Sequence, residues 1–274
     1  MAINLENVPP EKQTYQMCME SVQAVAEQLR YVDPKLQTEE LCLTAIRQSW
    51  STIGYVKNQT RTLCLAALNQ SGNALYYIRE QTPELCLAAV KRTGTALYHI
   101  KDRTLEICLE AVKQDVTSLL YLEDPPLKVC LTAVRIDGMA LRYIKAHQTR
   151  EMCLEAVRQN PLALEYVKEQ TPDICMAAVK QNGMALKCVK AQTPEICLAA
   201  VKQNGMAIGY IPKRRQTLPI AIAALKQDPD SRTYLSDKFR KPEVYKAAGY
   251  DYKIEDLAPS LRSKMKSREE LPFT

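Results

Sequence analysis

The sequence predicts an all-α fold: an α-solenoid of about ten short two-helix repeats, period 22, with distinct capping ends. Three observations predict it. Nine of the ten cysteines, Cys18, Cys42, Cys64, Cys86, Cys108, Cys130, Cys153, Cys175 and Cys197, follow one another at steps of 22 to 24 residues, and Ala221 holds the same place in a tenth copy. Only 6% of residues are aromatic within a 46% hydrophobic chain, so the apolar content is Leu, Ile, Val, Ala, Met and Cys, as in helical packing. The apolar positions inside each period follow a helical stripe.

Residues 193–214, TPEICLAAVKQNGMAIGYIPKR, show the unit most clearly. Thr193 is a helix N-cap, Pro194 suits the first helical position, and Glu195 meets the positive end of the helix dipole. From Pro194 to Gln203, Ile196, Cys197, Ala200 and Val201 form one stripe, widened by Leu198. Asn204 and Gly205 read as a left-handed stop. The following MAIGYI, with Ile208, Tyr210 and Ile211 on one side, has room for about two turns of α or 3-10 helix. Isolated helices this short are marginal in water, so neighbouring repeats must stack. An alanine column, Ala45, Ala67, Ala89, Ala111, Ala133, Ala156, Ala178, Ala200 and Ala224, keeps that stacking close.

The expected organisation is an N-terminal cap at 1–13, the repeats at 14–235, and a C-terminal cap and charged tail at 236–274, with the last dozen residues disordered. No apolar run approaches the roughly 20 residues of a membrane span, and the first sixteen residues lack a signal-peptide pattern. Cysteines inside apolar helices fit a reducing, cytoplasmic setting better than a disulfide framework. The net charge of +6 is unevenly placed: residues 1–211 carry 23 basic and 22 acidic side chains, residues 212–274 carry 14 and 9.

The repeats at 170–186, QTPDICMAAVKQNGMAL, and 192–208, QTPEICLAAVKQNGMAI, share a consensus, QTPEICLAAVKQNGMAL, that resembles the tandem repeat of a domain-of-unknown-function family found in giant viruses, large bacteriophages and intracellular bacterial pathogens. The resemblance covers residues 14 to about 235 and is strongest over 149–211. It implies a helical repeat fold and a viral or pathogen protein that works inside a host cell. It carries no catalytic residues over, because the family has no established reaction.

The cysteine column contains no CxxC or Cys/His cluster, so buried structural thiols are expected and no metal or cofactor. A tyrosine column (Tyr31, Tyr55, Tyr77, Tyr121, Tyr143, Tyr166, Tyr210, Tyr234, broken by His99 and Cys188) reads as packing, or as a stacking ladder. Basic residues end both helices, Arg47 to Lys226 in one column and Lys57 to Lys190 in the other, and suit helix dipoles as well as phosphates. No GxSxG, HExxH, P-loop or GxGxxG occurs, so no enzyme is expected.

The first functional reading is a non-enzymatic scaffold whose concave surface captures a partner protein, a host or defence protein that it sequesters or inhibits. The candidate contacts are the variable positions after each glycine place, Asn73, Thr95, Thr117, Met139, Leu162, Met184 and Met206, with the basic cluster Lys213, Arg214 and Arg215. That cluster reads equally as a loop before an atypical capping repeat. The alternative is a nucleic-acid-binding solenoid using the Lys/Arg columns; a third reading is an oligomeric small-molecule or nucleotide sponge.

Overall fold

Threonine starts, replaced by Pro126 before the sixth helix, and extended breaks give every repeat helices of the same length. In the computed structural model, which describes residues 4–145 and 147–262 apart from the Ile254 side chain, each repeat is a ten-residue α-helix followed by a six-residue 3-10 helix. No strand occurs among the described residues, and the expected all-α repeat fold is borne out. Residues 1–3 of the expected N-terminal cap, and 263–274 with their expected disorder, lie outside the described residues.

The chain divides into two compact units, 1–136 and 137–274. In the first, α1 (Tyr15–Ala24), α2 (Glu39–Gln48), α3 (Arg61–Gln70), α4 (Pro83–Arg92), α5 (Leu105–Gln114) and α6 (Leu127–Ile136) pack in chain order. The 3-10 helices Ala26–Tyr31, Trp50–Tyr55, Gly72–Tyr77, Gly94–His99 and Val116–Tyr121 form a second layer beside them. The second unit begins with the 3-10 helix Gly138–Tyr143. It continues through α7 (Arg150–Gln159), α8 (Pro172–Gln181), α9 (Pro194–Gln203) and α10 (Leu218–Gln227), with 3-10 partners Pro161–Tyr166, Gly183–Cys188, Gly205–Tyr210 and Pro229–Tyr234.

The local signals act as expected at the helix starts. Thr193 Oγ1 accepts the N–H of Ile196 at 3.4 Å, Thr82 does the same for Leu85, and Pro194 occupies the first helical place. Ile196, Cys197, Ala200 and Val201 are buried, as are Leu85, Cys86, Ala89 and Val90 in α4. The nine alanines of the column are fully buried. In the 3-10 element Ile208 and Ile211 are buried, whereas Tyr210 is exposed: three residues per turn keep 208 and 211 in line and turn 210 away.

The helix stop differs from the expectation. Asn204 is extended, with φ −149° and ψ 111°, and Gly249 is the only glycine with positive φ among the described residues. The break is an extended residue whose side chain caps the 3-10 helix, as Asn204 Oδ1 does for Met206 N–H at 3.0 Å. Glycine follows for lack of space. A Cβ on Gly205 would lie 2.5 Å from the Ala224 carbonyl of the next repeat, and one on Gly94 would lie 2.5 Å from the Ala111 carbonyl. The extra residue of the 153 step is absorbed at His147, in the left-handed region at φ 51°.

A glutamine five residues before each repeat cysteine ties successive 3-10 helices together. Gln59 Nε2 donates to the carbonyls of Ile53 and Tyr77, both at 2.9 Å, and its Oε1 accepts the N–H of Arg79 at 2.9 Å. Gln170 does the same with Leu164, Cys188 and Lys190, each at 2.9 Å. Gln13, Gln37, Gln148 and Gln216 make the full set of three bonds. Arg103 spans Ile100 and Tyr121 in the fifth repeat, and Pro125 occupies the place in the sixth. Gln192 bonds the carbonyls of Leu186 and Tyr210, but Pro212 stands where the N–H should be, and its Oε1 is left buried without a partner. A second glutamine, at the end of the α-helix, accepts the N–H of the preceding repeat's glycine: Gln159 takes Gly138 at 2.7 Å and Gln203 takes Gly183 at 2.5 Å.

The C-terminal residues close the second unit through α11 (Pro242–Ala247). Tyr245 is fully buried and its hydroxyl donates to the Asp256 carbonyl at 2.8 Å. Arg232, from the tenth repeat, bonds both Asp230 and Asp256.

Two pairs of substitutions test this packing. Gln170→Leu strands the Cys188 carbonyl and the Lys190 N–H, leaves the Leu164 carbonyl only the Val167 N–H, and should cost about 2–4 kcal/mol in urea unfolding. Gln192→Leu, which loses two bonds and removes an orphaned oxygen, should cost at least about 1 kcal/mol less. Gly94→Ala should cost about 1–3 kcal/mol through overpacking, while Gly249→Ala, with nothing within 4 Å of its added Cβ, meets only backbone strain of about 1 kcal/mol.

Candidate functional site

A 3-10 helix eclipses residues i and i+3, so the position after each glycine place and the residue three further on share one outward column. In the third to fifth repeats this column holds Asn73 with Tyr76, Thr95 with Tyr98, and Thr117 with Leu120. Tyr76 is 66% exposed, Tyr98 63% and Leu120 56%, high values for large apolar side chains in a folded domain. Beside it runs the tyrosine column, here Tyr77, His99 and Tyr121.

The two columns interlock because each ring of the second lies over the outward residue of the preceding repeat. Tyr77 covers Gly54, where an added Cβ would lie 2.9 Å from the ring. His99 packs on Tyr76 at 5.3 Å between centroids, and Tyr121 on Tyr98 at 5.4 Å. Within repeats, Tyr76 meets Tyr77 edge-on at 4.9 Å and Tyr98 meets His99 edge-on at 5.2 Å. Trp50 extends the series, 6.1 Å from Tyr77. Burial holds the His99 pKa below the usual imidazole value, which favours the neutral ring at pH 7. The nine positions 73, 76, 77, 95, 98, 99, 117, 120 and 121 therefore carry no charge at neutral pH.

The second unit fills the same columns differently. Its outward residues are Met139 with Arg142, Leu162 with Glu165, Met184 with Lys187, and Met206 with Gly209. Arg142 lies over the Tyr143 ring at 4.6 Å. Of the positions expected to contact a partner, Asn73 is exposed, while Thr95, Thr117, Met139, Leu162, Met184 and Met206 are half-buried. Most use their N–H in the 3-10 cap, as Met139 does with Asp137 at 2.8 Å. Lys213, Arg214 and Arg215 form an exposed 3-10 turn of their own. Tyr76, Tyr98 and Leu120, the most exposed members of the stripe, are absent from the sequence-derived candidates; the three-residue step from Asn73, Thr95 and Thr117 points to them.

Many basic-column side chains have local partners. The Arg79 guanidinium donates to the carbonyls of Lys57 at 2.8 Å and Val56 at 2.9 Å. Lys190 Nζ reaches the carbonyls of Val167 and Lys168, both at 3.2 Å, and Lys168 Nζ that of Lys145. Lys113 pairs with Glu110 and Arg158 with Glu155. An open groove of about 650 Å³ beside Lys57, Arg61, Arg79, Glu80 and Glu84 mixes both signs, and Arg61 is paired with Glu84 across it.

The repeat cysteines are buried free thiols. Their sulfurs face the staple position, as Cys108 Sγ does toward the Arg103 carbonyl at 3.7 Å and Cys175 Sγ toward Gln170 Oε1 at 3.8 Å. Burial pushes the thiols of Cys42 and Cys130 up to about 11. A thiol raised in the folded state contributes stability that is full below its unfolded pKa and is lost as pH climbs through the folded one. Unfolding free energy should thus fall between about pH 9 and 11, and Cys42→Ala with Cys130→Ala should flatten that fall in a urea titration against pH.

No group of three or more His, Cys, Asp or Glu able to hold a metal, and no helix long and apolar enough to cross a membrane, occurs among the described residues. No curated protein and no solved structure matches the chain. The pattern described as Domain of unknown function (DUF4116) matches residues 127–171, 149–192 and 193–240, three tandem placements that follow the 22-residue period, and this stretch of the chain is similar to that family's repeats.

Proposed function

We propose that the chain is a non-catalytic repeat scaffold that binds a partner protein, and that the stripe over Tyr76, Tyr98 and Leu120 is its main contact surface. One observation carries the reading: both columns are uncharged over the third, fourth and fifth repeats and hold Tyr76, Tyr98 and Leu120 more than half exposed, where packing asks only for the inner column. Aromatic side chains bury large area at low entropic cost and dominate protein interfaces. Asn73 and Thr95 rim the stripe with hydrogen-bonding groups, while the Thr117 hydroxyl donates to Asp115 Oδ1 at 2.7 Å; Met139, Leu162 and Met184 sit beside charged column neighbours, Met206 beside Gly209, and these four contribute less. The setting we propose is the cytoplasm of a host cell, with a host or defence protein held or blocked there, a reading that rests on the resemblance of the repeats alone.

The second reading, nucleic-acid binding, is favoured by Lys213, Arg214 and Arg215 on one exposed turn. It is weakened by the carbonyl and carboxylate partners of the other cations.

Tagged protein is used to capture partners from host-cell lysate, with and without nuclease and at low and high salt. A protein that survives both treatments and is lost about tenfold on Tyr76→Ala with Tyr98→Ala, with the fold intact by circular dichroism, supports the scaffold. Capture abolished by nuclease and by charge reversal at Lys213, Arg214 and Arg215 replaces it with the nucleic-acid reading.

A further inference from the structure

We infer that the chain's own residues 263–274 dock on the second unit, with Leu271 and Phe273 in the open groove between α10 and α11 and Glu269 and Glu270 against the lysines at its rim. This intramolecular cap goes beyond the scaffold reading and does not depend on it. The first argument is the groove itself. Each α-helix of a repeat has ten residues, whereas α11, which packs on α10, has six. Between the two lies an open groove of about 490 Å³. Leu218 and Ile222 of α10 line one side, and Phe239, Val244 and Ala247 the other. Leu218 is 48% exposed there, apolar surface left in water by the described residues.

The second argument is where the described chain ends. The Ala258 N–H donates to the Arg240 carbonyl at 2.9 Å, and the Arg262 side chain folds back on the Leu257 carbonyl at 2.7 Å. The last described turn is thus hung on Arg240, whose two chain neighbours, Phe239 and Lys241, both line the groove. Residues 263–268 span up to about 20 Å when extended, enough to bring Glu269 and the residues after it over the groove.

The third is complementarity. Lys238 and Lys241 rim the groove and are exposed, with Glu243 as the one acid of its lining. The Arg240 guanidinium is turned away, to the Asp256 and Glu255 carbonyls. After Asp256 the sequence holds two acids, Glu269 and Glu270, and they stand directly before Leu271-Pro272-Phe273. A proline biases the residue before it toward extended backbone, and in an extended segment residues 271 and 273 face the same side. Two acids followed by two large apolar side chains on one side match a lysine rim beside an apolar floor. Lys264, Lys266 and Arg268 would be repelled by that rim, so 269–273 is the part of the segment that fits.

The test uses the full chain carrying Phe273→p-benzoylphenylalanine, a photo-crosslinking side chain. Heavy-isotope and unlabelled protein are mixed, so that crosslinks within one chain and between chains separate by mass spectrometry. Crosslinks within one chain, to peptides bearing Leu218 and Ile222 or Phe239 and Val244, are expected. Lys238→Glu with Lys241→Glu, at exposed positions and with the fold checked by circular dichroism, should cut their yield about threefold or more. Adding Glu269→Lys with Glu270→Lys should restore it, because the charges are then exchanged across the same contact. Absence of crosslinks to these peptides, crosslinks between chains alone, or a yield indifferent to the charge exchange overturns the inference. Partner capture that depends on Tyr76 and Tyr98 is read on the same lysine variant and should be unchanged, so the cap and the scaffold reading stand or fall separately.

Discussion

A primary amide with two donors and one good acceptor, placed in eight of the ten repeats, is the interaction on which the stacking depends. Short 3-10 helices end in a last carbonyl and a following N–H that no local partner satisfies, and a six-residue element cannot persist with them bare. Gln59, Gln170 and their equivalents answer this by reaching the carbonyl end of one 3-10 helix with Nε2 and the end of the next with Nε2 and Oε1 together. The cysteine one helical turn on packs its sulfur against the same place, and its burial keeps the thiol protonated. The period is thus held by side-chain amides bridging main-chain groups, with apolar burial filling the space behind them.

Close approach follows from the same arrangement. The buried alanines let one α-helix bring its carbonyls against the glycine of the preceding repeat, and the second glutamine then caps that glycine's N–H. Apart from Arg103, Pro125 and Pro212 in the staple itself, the outward column of the 3-10 layer varies between repeats. There the first unit carries Tyr76, Tyr98 and Leu120 and the second Arg142, Glu165 and Lys187, on an otherwise shared scaffold. A difference that packing does not demand is where recognition has freedom to reside.

The period, the ten-residue helices and their threonine starts are legible in the sequence because each has a local signature: Thr193 and Pro194 open a helix whose buried face repeats every turn. The stop at Asn204 and Gly205 is legible in position but not in mechanism, since the need for glycine comes from Ala224, nineteen residues away. The glutamine staple spans 18 to 20 residues and shows only as a column five places before each cysteine. Of the candidate contacts, Asn73, Thr95 and Thr117 border the exposed stripe. The rings beyond them become apparent only once the second helix is known to be 3-10, because an α-helix would have turned i+3 by a different angle.

Native-state hydrogen exchange at the staple amides tests the central claim most directly. The N–H groups of Lys57, Arg79, Lys168 and Lys190 lie just past the ends of 3-10 helices, on exposed residues, and have only the glutamine oxygens as partners. If the staples hold the repeats together, these amides exchange as slowly as those inside the α-helices, opening only when a repeat unfolds. Exchange at the rate of unstructured loops, with the helices still protected, would contradict the account.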